Sequence, residues 1–494
     1  MTPAPRAREP FAIVPVLGVA AALGAVLLWY AAQYGFHRDE LYFVVAGRHP
    51  AFGYPDQPPL TPLLAAGAEA ILGPTPVGPR IIAGLAMAAT TVLAALTARE
   101  LGGGRSAQVV AAVAMAVTPG ILLAGHLLAT ATIDILVWAV VLWLVVRILG
   151  GGDPRLWFLV GVVAGVGLLN KHLVVFLGAS LAAGLLLTRR DVLRRPEPWV
   201  AVGIALLIWL PNLAWQAAND WPQLEMGRVI ADRDGLENRV LLLPMQLILV
   251  GLMAPVLLAG IWRLLAGAAT RPWRPIGVGY VAVLVLILLT GGKGYYAAGY
   301  LPALVAAGAI PVAAWFSGRP GRLVGAAALT VGSALIAAVI SLPILPASSP
   351  IVAAVAEVNP ESVEQVGWPE LVDIVTGVVD DLDASERASA VIFTGNYGEA
   401  GALTVLGADR DLPPVYSGHQ GFHDWGPPPE DATTVVVVGI FPEHAARMFT
   451  GCRTAASIDN GQGVENEEQG LPVLACGPPV RPWSELWPTL RHLN

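Results

Sequence analysis

The sequence predicts an α-helical polytopic membrane protein with a small α/β domain at its C-terminal end. Of its 494 residues, 55% are hydrophobic and only 13% are charged, with a mean hydropathy of +0.64. A soluble globular chain carries nearer ~25% charged residues. Apolar runs close to the ~20 residues that cross a bilayer recur along most of the chain. The charge is also divided unevenly: residues 1–349 hold 23 basic against 15 acidic side chains, and residues 350–494 hold 6 against 21. The second part therefore reads as a separate, acidic, water-facing domain, which divides the chain into a membrane domain, 1–346, and an extracytoplasmic domain, 347–494.

About eleven transmembrane helices are expected, at 11–32, 77–98, 106–123, 127–149, 156–169, 172–187, 199–215, 240–265, 276–289, 295–316 and 323–345. Arg6 and Arg8 precede the first run, as they would in a secretion signal. No small-residue cleavage pattern follows, so the run is read as an anchor. With the N-terminus cytoplasmic, the inner segments collect fifteen arginines, and the exterior segments before residue 350 collect eight basic residues. That asymmetry supports the orientation. An odd number of crossings then places the C-terminal domain outside the cytoplasm.

Between the first two runs, residues 39–47 and 60–72 have helical patterns. They are too short to span and too apolar to stand free in water, so two interfacial helices are expected in this first exterior loop. Pro50, Pro55, Pro58, Pro59 and Pro62 break the first from the second. A second exterior loop, 216–239, carries Trp221 and alternating charges. Beyond residue 350, strand and helix alternate: helix 368–382, strand 390–394, helix 399–406, strand 433–440 and helix 442–449. The glycine-rich stretch 395–401 reads as a tight strand-to-helix turn. Cys452 and Cys476 both lie in this domain, where an oxidising compartment permits a disulfide.

The polar groups of the membrane part fall on one predicted side. Asp39, Glu40, Asp56 and Gln57 lie in the first exterior segment, and His126 and Asp134 lie near the outer end of the fourth span. Lys171 and His172 lie where the fifth span gives way to the sixth, and Lys293, Tyr295 and Tyr296 lie where the ninth gives way to the tenth. Of 29 basic residues only Lys171 and Lys293 are lysines. No ionisable residue sits near the middle of a predicted span, which disfavours an ion or proton pathway. Two ammonium groups at a membrane face suit a phosphate ester held by its lipid tail. A carboxylate there can take the proton of an attacking hydroxyl. The chemistry this predicts is sugar transfer from a lipid phosphate.

The ordered motifs are an Asp39-Glu40 pair after the first span, Asp56 before Pro58-Pro59, Asp134 in the fourth span, Lys171 after the fifth, and a Lys293-x-x-Tyr296-x-x-x-Tyr300-Leu301 pattern running into the tenth. They resemble the GT-C superfamily of membrane glycosyltransferases (glycosyltransferase family 39 type). The nearest branch is that of the protein O-mannosyltransferases and the lipid A aminoarabinose transferases. The resemblance covers about the first 345 residues. It implies catalytic roles for Asp39, as general base, and Asp134, and substrate-binding roles for Glu40, Asp56, Gln57, Lys171, Lys293, Tyr295 and Tyr296. It also implies a polyprenyl-phosphate sugar donor, an inverting reaction and a possible divalent metal. Asp56-Gln57 stands where the lipid A branch has Glu-Lys, so one cationic phosphate contact is missing.

The function expected is therefore a multi-pass cell-membrane glycosyltransferase that passes a sugar to an envelope lipid, polysaccharide or protein. No nucleic-acid partner is expected. A transporter of polyprenyl-linked sugars would need paired broken spans and midplane charge. A non-catalytic envelope-binding protein would bind donor without turnover.

Overall fold

The computed structural model describes residues 9–493, so Arg6 and Arg8 lie outside the described residues. The chain forms two compact units, Met1–Ala31 with Arg80–Leu342 and Ala32–Pro79 with Pro343–Asn494. The first exterior segment, which the sequence boundary at 346 groups with the membrane part, thus packs with the C-terminal domain.

In the first unit all eleven apolar runs are helical. Among the described residues, seven helices are long and apolar enough to cross a membrane, and the chain is a multi-pass membrane protein. A further apolar pair is bent, a broken span or a re-entrant loop: α5 (Arg105–Ala116) and α6 (Pro119–His126) meet at 61°. Pro119 has no N–H to continue the ladder and forces the residue before it out of the α region, and Thr118 is extended accordingly. The runs at the first, fifth and sixth positions form helices of 17, 13 and 15 residues, namely α1 (Ile13–Trp29), α8 (Leu156–Leu168) and α9 (Val174–Thr188). The fourth run is α7 (Thr130–Leu149).

The predicted loop 216–239 is mostly helical instead. A helix begins at Pro222, after Trp221 at φ +57°, and continues to Val250. Alternating charges suggested a loop, yet the Leu, Glu, Met, Arg and Ala found there are strong helix formers, and Pro222 at the first helical position suits its start. Small residues let other helices touch backbone to backbone. A Cβ added at Gly260 would lie 1.8 Å from the carbonyl oxygen of Leu304, and one at Gly308 would lie 1.8 Å from that of Val256.

The second unit holds a five-stranded sheet of order β2-β1-β3-β5-β4. Its strands are β1 (Ala390–Thr394), β2 (Val415–Ser417), β3 (Thr434–Val438), β4 (Arg453–Ser457) and β5 (Pro472–Cys476). β1 runs parallel to β2 and β3, and β5 runs antiparallel to β3 and β4. β3 is buried along its length, as a strand covered on both faces must be. Phe393, Phe449, Trp483 and Trp487 fill the core on one face. The Cys452–Cys476 disulfide ties the entry of edge strand β4 to β5 across 24 residues.

Helices α2 (Arg38–Arg48) and α3 (Leu60–Leu72) form close to the expected positions. Every residue of α2 from Glu40 to Gly47 is buried, more than an interface-lying helix requires. α2 packs on α3 and on the helix Tyr397–Val405. Two glycines permit that: a Cβ at Gly47 would sit 2.4 Å from the Pro62 carbonyl oxygen, and one at Gly401 would sit 2.9 Å from Leu41 Cβ.

The Asn396 side chain caps the helix Tyr397–Val405, and Glu399 completes the capping box. The Glu399 side chain is wholly buried. Burial pushes its carboxyl up to about 8, and the charge of Glu468 adds to this. The Asn396 and Gly395 backbone and Arg38 oppose it. An unfolded Glu loses its proton near ~4.3, so between that pH and about 8 the folded chain binds the extra proton and its stability falls as pH rises. Glu399→Gln mimics the protonated form and keeps an oxygen for the cap. Its melting temperature in detergent should therefore drop less than the wild type's between pH 5 and 8. Parallel curves would mean that Glu399 does not titrate in that range.

Candidate functional site

The α2 N-terminus is built by its own first turn. His37 is extended at the N-cap, and its Nδ1 accepts from the Asp39 N–H at 3.2 Å. Glu40 reaches back to accept from the His37 N–H at 3.0 Å. Glu40 is thus consumed in capping a buried helix, where its charge also suits the dipole. That leaves Asp39, one residue earlier, partly buried and turned about 100° away.

Asp39 Oδ1 accepts a hydrogen bond from the Tyr397 hydroxyl at 2.7 Å. The Arg38 guanidinium lies 4.9 Å from the centroid of the Tyr397 ring and pairs with Glu467 and Glu364. Glu364, Glu467 and Glu468 are the group among the described residues whose oxygens lie close enough to hold a metal ion. Arg38 already supplies positive charge to it.

Asp56 sits in the proline-rich loop. Tyr54 pins that loop by donating to the Ala46 carbonyl at 2.8 Å. Asp56 Oδ1 accepts from the Tyr42 hydroxyl at 2.6 Å, and the Gly421 N–H donates to the same hydroxyl at 3.3 Å. Burial pushes the Asp56 carboxyl up to about 7. The Tyr42 hydrogen bond opposes this, while the charges of Asp39 and Asp424 add to it. Gln57 is 3% exposed, and neither its Oε1 nor its Nε2 has a protein partner. Such an amide is costly to bury unless something else satisfies it. Trp425 stacks on His49, with ring centroids 4.3 Å apart.

In the membrane unit Asp134 lies just over one turn inside α7, with its Oδ1 accepting from Trp138 Nε1 at 3.0 Å. Gly299 makes room for the Trp138 ring, since a Cβ there would fall 2.5 Å from it. The turn between α8 and α9 carries Lys171. Asn170 anchors that turn by donating to the Thr130 carbonyl at 2.8 Å, at the start of α7. The Lys171 ammonium lies 5.3 and 5.2 Å from the Tyr295 and Tyr296 ring centroids and is the charged neighbour of Asp134. The structure thus brings Asp134, Lys171, Tyr295 and Tyr296 together. Lys293 joins that group through its backbone, its carbonyl accepting from the Tyr296 N–H at 3.0 Å, while its charge acts on Asp234. His126 ends α6, so it belongs to the helix before Asp134 rather than to the same one. His172 sits 3.0 Å from the Asn212 Oδ1.

Sequence reasoning missed Tyr397, Tyr42 and Trp138 as partners of the expected carboxylates. Trp138 had a legible signal, four residues after Asp134 on one helix face. Tyr397 had none, because 358 residues separate it from Asp39.

The family model for dolichyl-phosphate-mannose-protein mannosyltransferase matches residues 56–215. No curated protein is significantly similar in sequence. Among solved structures, ArnT from Cupriavidus metallidurans bound to undecaprenyl phosphate matches with a TM-score of 0.59 at 15% identity, covering 93% of this chain and 97% of that one. The same protein in the apo state matches with a TM-score of 0.59 at 14% identity and the same coverage. Arabinofuranosyltransferase AftD from Mycobacteria matches with a TM-score of 0.48 at 16% identity, over 95% of this chain and 42% of that one. The chain has the fold of ArnT.

Proposed function

We propose that this protein is a membrane glycosyltransferase that moves a sugar from a polyprenyl phosphate to an acceptor hydroxyl or amine of the cell envelope, on the outer face of the cytoplasmic membrane. The observation that carries the reading is Asp39, a partly buried carboxylate held at the start of a capped, buried helix by a tyrosine hydroxyl. The ArnT structure with the same fold holds undecaprenyl phosphate, which supports the donor class.

Asp39 takes the acceptor proton as the acceptor oxygen or nitrogen forms its bond to the anomeric carbon. The bond from that carbon to the phosphate oxygen breaks, and polyprenyl phosphate leaves with the electron pair. A single displacement inverts the anomeric centre. Lys171 and Lys293 offset the negative charge of the donor phosphate, and Tyr295 and Tyr296 support the Lys171 ammonium. The Gln57 amide, without a protein partner at either end, hydrogen-bonds substrate where the lipid A branch has a cation. Asp134 orients its neighbours from α7.

Purified full-length protein in nanodiscs, given a panel of radiolabelled polyprenyl-phosphate hexoses and pentoses with an envelope fraction of its host, should transfer label from one of them. Binding without transfer over the whole panel would sink the enzyme reading. Asp39→Asn should retain donor binding and lose turnover by about 10² to 10⁴. Glu40→Gln, which can still cap, should be far milder. The reverse ranking would move the base to Glu40.

Each of Lys171→Ala and Lys293→Ala removes a charge-assisted contact of roughly 1.5 to 3 kcal/mol, so donor affinity should fall about tenfold or more. Unchanged affinity in both would remove their phosphate role. Orientation is checked by a cysteine at the exposed position 424. Asp424→Cys should react with impermeant maleimide in intact cells, and labelling only after lysis would invert the topology.

A further inference from the structure

We infer that Tyr397 is a positioning residue for the reaction: through its hydroxyl, the C-terminal domain sets the carboxylate of Asp39 in the orientation that accepts the acceptor proton. The inference rests on the proposed role of Asp39 as base.

The geometry is specific. Tyr397 O–H donates to Asp39 Oδ1 at 2.7 Å, within the range of a strong bond to a carboxylate. The ring that carries the hydroxyl is gripped from several directions. Arg38 stacks on it at 4.9 Å, the Tyr42 ring lies 5.2 Å away and the His419 ring 4.9 Å away. Its backbone is equally constrained, because Tyr397 is the first residue of a helix capped by Asn396. That helix is seated against α2 where Gly398 meets Arg38 and Gly401 meets Leu41. Burial above all, and then the neighbouring charge of Asp39, hold the phenol well above its ordinary range, so it remains a donor.

A carboxylate on one rotatable stem can turn its oxygens away from a reacting proton. Holding one oxygen on a fixed donor leaves the other in a defined place, the kind of support a reacting group needs from its surroundings. None of this requires Tyr397 to touch substrate.

The test is a double-mutant cycle with the donor and acceptor that the panel above identifies. Tyr397→Phe keeps the ring and its stacking on Arg38 and deletes only the hydroxyl. Its kcat should fall about ten- to a hundredfold, as for loss of one hydrogen bond to a charged group, with donor KM unchanged. In an Asp39→Asn background the same change should cost nothing further, since the group it orients is already gone. A structural role would instead give the same fold loss in both backgrounds, and that result overturns the inference. Normal kcat in Tyr397→Phe, beside an inactive Asp39→Asn, also overturns it while leaving the base assignment intact. Normal turnover in Asp39→Asn, or no transfer by any donor of the panel, removes the base reading itself and this inference with it.

Discussion

The backbone contact between α2 and the helix Tyr397–Val405 is the constraint on which the second unit depends. Gly401 lets the two helices approach until a Cβ would meet Leu41 at 2.9 Å, and α2 is buried from Glu40 to Gly47. A helix buried along its middle turns cannot rotate to suit its first residues. The orientation of Asp39 is therefore settled by apolar packing one and two turns further along, and the charged end only finishes what the glycines and aliphatic residues determine. The cluster of Arg38 with Glu364 and Glu467 contributes less to that rigidity: Glu467 is largely exposed, and ion pairs in contact with water are weak.

Much of this was legible in the residues, for reasons that differ from element to element. The membrane helices could be read because lipid demands long apolar segments with every backbone group bonded internally. β1 and β3 could be read because each is a short apolar run bounded by turns. β2, with three residues, and β4, mostly exposed over 453–457, carry no such pattern and exist only because β1 and β5 supply partners. The helix beginning at Pro222 was hidden because its polar residues look like a loop unless helix propensity is summed over its length.

For the candidate site the division is similar. Asp39, Asp134 and Lys171 stand out as ionisable groups beside apolar runs, and the split between Asp39 and Glu40 follows from helix periodicity and the capping box. Their partners were illegible. Tyr42 to Asp56 is a contact across a proline-rich loop whose path no local pattern specifies. Tyr397 to Asp39 is a contact between the two ends of the chain. The glycine-rich stretch 395–401 reads as a turn, yet Gly398 and Gly401 admit a neighbouring helix, a use that is visible only when that helix is in place.

The distance along the chain between Asp39 and Tyr397 also sets an order of events during synthesis. A ribosome adding ~5 to 20 residues per second makes α2 roughly 20 to 70 s before it makes the helix that buries it. During that interval α2 has its cap and its α3 neighbour but lacks the surface that seats it. Only a polypeptide that has reached the helix Tyr397–Val405 contains both sides of this joint. A nascent chain that has passed Ser341 but not reached Tyr397 would therefore carry the apolar helices and still hold an unfinished first exterior segment, which ties assembly of this carboxylate to synthesis of the helix Tyr397–Val405.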